Sequence, residues 1–152
     1  MRKAMLLLAI VGLAGSLWAA DPDVGTWKLN VAQSKFSPNS PAPKEETLVV
    51  AVAGGQKELT VTGTAANGSP ISAKYTFPLE GGAVKPVLAG YDAAIVTVVS
   101  PSDFYATTLK DGKQRLFLQV VISKDGKTKR ETIRGKDAQG KPVDELEVFD
   151  KQ

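Results

Sequence analysis

The chain has 152 residues, with 19 Lys and Arg against 16 Asp and Glu, and it contains neither histidine nor cysteine. Their absence excludes Ser-His-Asp and Cys-His catalysis, metal sites built on these ligands, and disulfides. Only Tyr, Lys and carboxyl groups remain for chemistry, and no carboxylates show calcium-site spacing. We therefore predict a protein that is not an enzyme and has no metal or cofactor.

The first 20 residues have the layout of a secretory signal peptide. Arg2 and Lys3 form a basic start, and an apolar stretch over 4–17 follows, before Ala19 and Ala20. That stretch is shorter than the ~20 residues that a membrane-spanning helix requires. We predict cleavage after Ala19 or Ala20, export to the periplasm or the medium, and no stable membrane span. An N-terminal anchor that stays uncleaved is the alternative.

The charge of the mature protein does not favour nucleic acid as a partner. Removal of Arg2 and Lys3 leaves 17 basic and 16 acidic residues, so the net charge falls from +3 to +1. Charges of opposite sign are interspersed along the chain, as on an ordinary soluble surface. Residues 21–152 suffice for one domain with one core, and we favour a monomer. Asp21 and Asp23 lie at the new N-terminus, where we expect fraying.

Residues 21–152 show the pattern of short β-strands joined by tight turns. Asn67-Gly68 and Asp125-Gly126 are typical turn dipeptides, because these residues tolerate the positive φ angles of two-residue hairpins. One helical turn over 32–36, capped by Asn30, is the only helix that the pattern predicts. The predicted strands, all rich in β-branched and aromatic residues, are 24–31, 46–53, 59–65, 71–77, 93–100, 104–110, 114–123, 128–134 and 143–150.

Short turns between successive strands favour an antiparallel up-and-down meander. Such a sheet has open edges unless it closes on itself. We therefore predict an all-β fold over 21–152, a barrel of about eight to nine strands, with a β-sandwich as the alternative. The proline-rich segment 37–43 cannot pair in a central strand. It is either a lid over one mouth of the barrel or a stiff connection.

Gly25-Thr26-Trp27 on the first mature strand resembles the opening motif of the lipocalins. In that family the Trp packs across the closed end of the barrel, commonly against an Arg from a late strand. The resemblance implies that Trp27 closes this barrel and that Arg130 or Arg134 packs on it, a favourable cation–π arrangement. The disulfide and the C-terminal helix of classical lipocalins have no counterpart here. The pattern over 24–152 is similar to small secreted lipocalin-like bacterial proteins.

Alternation of apolar residues indicates which side chains line the barrel. If the face that includes Leu118 points inward, Phe117 points outward. On another strand, Tyr75 lies inward with Phe77. On the strand over 104–110, either Phe104 or Tyr105 points inward, and the sequence does not decide between them. We predict that Tyr75, Phe77, Tyr105 and Leu118 contact a ligand, since a few hydroxyl groups in an apolar cavity suit a small hydrophobic molecule.

Two groups of residues are predicted on outer faces. Glu145 and Glu147 alternate with apolar neighbours, which indicates an exposed strand face rather than an acid–base pair. Phe117 and Phe149 are candidates for an exposed aromatic patch. Such a patch would mark a surface for a protein partner.

Three functions are compatible with these features. The leading one is non-catalytic binding of a small apolar or amphipathic molecule outside the cytoplasm. The alternative is an envelope interaction protein with a solid barrel core and no ligand, and an enzyme that uses Tyr, Lys or carboxylates is the third. The interior volume separates the first two, because a drug-sized ligand needs about 300 Å³ or more.

Overall fold

The computed structural model describes residues 21–152, so the predicted signal peptide lies outside the described residues. Within 21–152 there is one 3-10 turn, Val31–Gln33, and no helix is long and apolar enough to span a membrane. The ten strands are β1 Gly25–Leu29, β2 Glu45–Ala53, β3 Gln56–Thr64, β4 Pro70–Pro78, β5 Gly81–Ala83, β6 Ala93–Ser100, β7 Asp103–Lys110, β8 Lys113–Ile122, β9 Thr128–Lys136 and β10 Pro142–Lys151.

All ten strands form one antiparallel sheet in the order β4-β3-β2-β1-β10-β9-β8-β7-β6-β5. The first and last strands are neighbours, and Trp27 of β1 lies opposite Lys151 of β10. The two edges of the sheet meet through one bridge, in which Thr76 and Lys85 exchange backbone hydrogen bonds of 2.7 and 2.8 Å. This nearly closed meander confirms the predicted barrel.

The strand count is ten because β5 adds to the nine predicted strands. Its sequence is Gly-Gly-Ala, which carries no side-chain alternation and so gives no strand signal. Gly81 also lies close to the backbone of β6, where an added Cβ would fall 2.7 Å from the carbonyl oxygen of Val96. Glycine at this position therefore lets the edge strand pair closely with β6.

Two groups of buried apolar residues fill the barrel at different positions. Trp27 and Phe149, both with 0 % exposure, belong to the first. The second lies between β4 and the β6–β8 strands and includes Phe77, Phe104 and Val120. Phe149 is thus a core residue, and the prediction that it forms an exposed patch is wrong.

The prediction of an exposed face at Glu145 and Glu147 is also wrong. Glu147 lies opposite Glu131, and Phe149 lies opposite Lys129, so the odd-numbered residues of β10 share the inner face with these residues of β9. The reason is the course of the chain after β1. Residues 30–37 run along β10, where Asn30 and Lys35 bond to its backbone, so apolar residues of its other face also become buried.

Candidate functional site

The interior contains a cavity of about 210 Å³ with a largely apolar wall. Tyr75, Phe77 and Leu118, three of the predicted ligand contacts, line it. Phe104 lines it as well, opposite Val120 of the next strand. The other apolar lining residues are Val50, Leu59, Val84, Leu88, Ala94, Val96, Ala106, Leu116, Val120 and Ile133.

The structure places the fourth predicted contact, Tyr105, on the outer face of the barrel. Its ring packs on that of Phe117, with 5.0 Å between the ring centroids. Adjacent strand residues point to opposite faces, so the inward position of Phe104 puts Tyr105 outside. Burial decides between them, because Phe104 is the apolar one and packs in the second core group.

Trp27 is fully buried in the first core group, and lysines pack on it. Its Nε1–H donates a 2.8 Å hydrogen bond to the carbonyl oxygen of Asp23. The Nζ atoms of Lys129 and Lys151 lie 4.8 and 4.9 Å from its ring centroid.

The arginines expected at Trp27 lie elsewhere. Arg130 is exposed, and Arg134 forms an exposed 3.3 Å ion pair with Asp144. Strand alternation accounts for the difference: odd-numbered Lys129 points inward, so even-numbered Arg130 and Arg134 point outward. The cation over Trp27 is therefore lysine rather than arginine.

A buried ion cluster lies beside Trp27. Asp23 is 2 % exposed, and its carboxylate forms ion pairs with the Nζ of Lys129 at 2.7 Å and with the Nζ of Lys57 at 3.1 Å. Lys57 also pairs with Asp21 at 3.0 Å. Two ammonium groups thus meet two carboxylates, which is the condition for keeping charges in a protein interior. The prediction that Asp21 and Asp23 fray is therefore wrong, because ion pairs to Lys57 and Lys129 hold them in place.

Carboxyl groups form a second interior feature, which the sequence prediction missed. Glu131 lines the cavity, and burial raises its pKa to about 7, although the charge of Lys129 opposes the shift. Burial, followed by the nearby carboxylates of Glu131, Glu46 and Glu145, raises the pKa of Glu147 to about 9. Burial also raises the pKa of Glu46.

The signal for two of these carboxyl groups was present in the sequence. Glu46 has the same strand parity as Leu48 and Val50, which belong to the core. Glu131 likewise has the parity of Ile133, which lines the cavity. A charged residue on an apolar strand face is therefore the pattern to look for.

A cleft of about 420 Å³ lies near the carboxyl groups, and Glu46 and Glu147 line it. Pro41 and Pro43 of the proline-rich segment form part of its wall. Ser37, at the start of that segment, is fixed to β10: its N–H donates to Glu145 at 3.2 Å, and its Oγ accepts from the N–H of Asp144 at 2.8 Å. The segment thus borders the cleft from an anchored start.

The cavity therefore combines an apolar wall with the charged side chains of Asp23, Lys129 and Glu131. Carboxyl groups accept hydrogen bonds when ionised and also donate one when protonated. Among residues 21–152, no group of three or more acidic side chains is placed to hold a metal ion. The arrangement can accommodate a molecule with an apolar part and a polar end.

No protein-family model matches this chain, and no curated protein matches it. Among solved structures it is similar to the zebrafish ileal bile acid-binding protein complexed with cholic acid (TM-score 0.52, 16 % identity, 86 % of this chain and 99 % of that one). It is also similar to the S-type phycobiliprotein lyase CPES from Guillardia theta (TM-score 0.53, 12 % identity, 87 % and 89 %). These similarities establish the fold, an antiparallel β-barrel.

Proposed function

We propose that this protein binds a small apolar or amphipathic molecule inside its barrel without transforming it. The observation that carries the proposal is the apolar cavity of about 210 Å³. An apolar cavity of ~150 Å³ holds benzene, whereas drug-sized ligands need about 300 Å³ or more. The apolar part of the ligand is therefore small, such as one ring system or a short alkyl chain.

The cleft provides room for the polar part of the same ligand. Glu131 lines the cavity and Glu147 lines the cleft, and the two residues lie directly opposite each other on β9 and β10. Residues in such a pair have Cβ atoms roughly 5 Å apart and point to the same face. A ligand with its apolar end among the core side chains would thus place its polar end near these glutamates.

The similarity to a bile acid-binding protein complexed with cholic acid supports a ligand in the interior. The signal-like start of the chain supports binding in the periplasm or the medium, since Arg2, Lys3 and the apolar stretch after them are typical of export. The binding protein would then meet its ligand outside the cytoplasm.

A second candidate function is protein interaction through the outer surface. Ile95, Val99 and Val121 are exposed on β6 and β8, and Val99 is 62 % exposed. Tyr105 and Phe117 lie on the same outer face. Exposed apolar side chains that cluster mark a surface for another protein more often than isolated ones do.

Native mass spectrometry of the full chain, expressed with its own leader in a secreting host, tests the proposal. We expect a bound small molecule that organic extraction releases. Ala106→Phe should abolish that binding because its ring would occupy the cavity, whereas Thr107→Phe, on the outer face of the same strand, should leave it intact.

The two variants also distinguish a real cavity from a packed core. A ring forced into a packed core lowers the free energy of unfolding by about 1–3 kcal/mol. A ring that enters an empty cavity lowers it little. A protein free of ligand, with no thermal shift against a library of hydrophobic compounds, would contradict the proposal and favour the interaction protein.

A further inference from the structure

We propose that the polar end of the ligand is an ammonium group and that Glu131 and Glu147 bind it. This inference rests on the proposed function, because it names the class of molecule that the interior would hold. It is carried by two independent features of the barrel: the apolar cavity, and the facing pair Glu131 and Glu147, whose side chains form no ion pair.

The cations of the interior already have partners. Lys57 and Lys129 contact Asp21 and Asp23 at 2.7–3.1 Å. Each ammonium group also lies over an aromatic ring, that of Phe104 for Lys57 and that of Trp27 for Lys129. These two lysines are thus held by the aspartates and the rings, and Lys129 also lines the cavity.

The glutamates have no such partners. Among the ion pairs and hydrogen bonds of residues 21–152, none involves the side chains of Glu46, Glu131 or Glu147. Glu145 accepts one hydrogen bond, from the N–H of Ser37. Carboxylates that face a protein interior without an ion-pair partner are unfavourable. Burial raises the pKa of Glu131 despite the opposing charge of Lys129, and it raises the pKa of Glu147 as well.

A bound cation would supply the ion-pair partner that the carboxylates of Glu131 and Glu147 lack. An ammonium group has three donors, so it can bond to two carboxylates at once, and charge-assisted bonds of this kind are the strong ones. Glu131 borders the apolar cavity, so an alkyl chain or a ring attached to the ammonium group would enter the cavity. A ligand carboxylate would instead add a further negative charge to the same region.

Ligands that differ only in their polar end test the inference. Octylamine, octanol and octanoate carry alkyl chains of similar length. Their affinities for the protein purified from the secreting host are measured by calorimetry at pH 6, 7.5 and 9. We expect octylamine to bind about 10-fold or more tightly than octanol at pH 7.5, the usual range for a hydrogen bond between charged groups. Octanoate should bind most weakly.

The pH dependence gives a second test. Ammonium binds to the ionised carboxylates, so octylamine affinity should rise from pH 6 to 9 and binding should release protons. The charged groups that face Glu131 and Glu147 are Lys129 on β9, Glu46 on β2, Glu145 on β10 and Asp23 before β1. Octanol affinity should change little over this range.

Variants connect the preference to the two glutamates. The double variant Glu131→Gln, Glu147→Gln should lose the preference for octylamine while octanol still binds, which also shows that the variant is folded. Each single variant provides the same comparison if the double variant does not fold. Glu58→Gln, which removes an outer carboxylate paired with Lys74, should change nothing.

The outcomes separate the two proposals. Octanoate binding as tightly as octylamine, octylamine affinity that does not rise with pH, or an unchanged preference in the double variant would each overturn the ammonium inference. The proposed ligand-binding function would survive all three results. If no member of the series binds and no other hydrophobic compound does, both proposals are overturned.

Discussion

Trp27 combines burial, a hydrogen bond and two stacked cations, so it concentrates much of the packing of the first core group. We expect Trp27→Ala to lower the free energy of unfolding by about 3–5 kcal/mol, because truncation of a buried Trp leaves a cavity. Urea unfolding of the wild type and the variant measures the difference. The variant also leaves Lys129 and Lys151 without their aromatic partner.

A matched control separates this effect from the loss of any aromatic ring. Phe117→Ala removes a half-buried ring from the outer face, where its partner is Tyr105, and the loss should be smaller. A loss below about 1 kcal/mol for Trp27→Ala, far under the usual cost of deleting a core Trp, would show that Trp27 does not hold the core. The comparison with the lipocalin motif would then have no energetic basis.

The inward glutamates give the protein an unusual dependence of stability on pH. Their pKa values in the folded protein, about 7 for Glu131 and about 9 for Glu147, lie above the ordinary glutamate value of 4.5. The folded state therefore binds more protons than the unfolded state between these limits, so the contribution of these groups to stability falls as pH rises. We expect the urea midpoint to decrease from pH 5 to 9, and to decrease less in Glu131→Gln and Glu147→Gln.

Glu58→Gln is the control for this experiment, since Glu58 pairs with Lys74 on the outer surface. Its midpoint should follow that of the wild type across the range. A wild-type slope that both interior variants retain would mean that other groups cause the pH dependence, and the two glutamates would then titrate as ordinary carboxyl groups do.

At the level of the strands, Gly135 permits the close pairing of β8 and β9. Its φ is +129°, and an added Cβ would fall 2.0 Å from the carbonyl oxygen of Arg115. We expect Gly135→Ala to destabilise the protein by about 2 kcal/mol or more, since it adds an overlap with backbone to an unfavourable φ. Urea unfolding measures the loss.

Gly140→Ala is the control that isolates the backbone strain. Gly140 also has a positive φ, +83°, but no atom lies within 4 Å of the added Cβ. Its cost should be about 1–2 kcal/mol, the usual penalty of a left-handed residue. Equal losses in the two variants would show that β8 and β9 can separate to admit the methyl group.

Strands with alternating side chains could be predicted from the sequence, and strands or faces defined by distant contacts could not. The face that includes Leu118 follows from its own alternation and lines the cavity as predicted. For β10 the same reasoning failed, because the pairing of Lys35 with Leu146 brings a segment over a hundred residues away against its apolar face.

The candidate site was predictable in part for the same reason. Tyr75 and Phe77 have clear inward parity, whereas Phe104 and Tyr105 are adjacent aromatics and either one could point inward. The partners of Asp23, namely Lys57 and Lys129, belong to β3 and β9, so only the closed barrel brings these charges together.

For the whole molecule, the order of the strands determines where the barrel is weakest. The first and last strands pair with each other inside the sheet, and the edges that remain are β4 and β5. We call the contact between these edges, formed by Thr76 and Lys85, the seam. β2 and β3, by contrast, pair along nine residues from Glu45 to Ala53.

The seam is therefore where we expect the barrel to open. Amide protons at Thr76 and Lys85 should exchange with solvent faster than those in the ladder between β2 and β3, because opening there breaks two hydrogen bonds rather than a full ladder. Hydrogen exchange followed by mass spectrometry or NMR measures this.

A bound ligand should slow exchange at the seam, since residues on both sides of the seam line the cavity: Tyr75 and Phe77 on one side and Val84 on the other. Protection at the seam equal to that of β2–β3 without ligand would show a fully closed barrel, and entry would then have to occur at a mouth, such as the cleft bordered by the proline-rich segment.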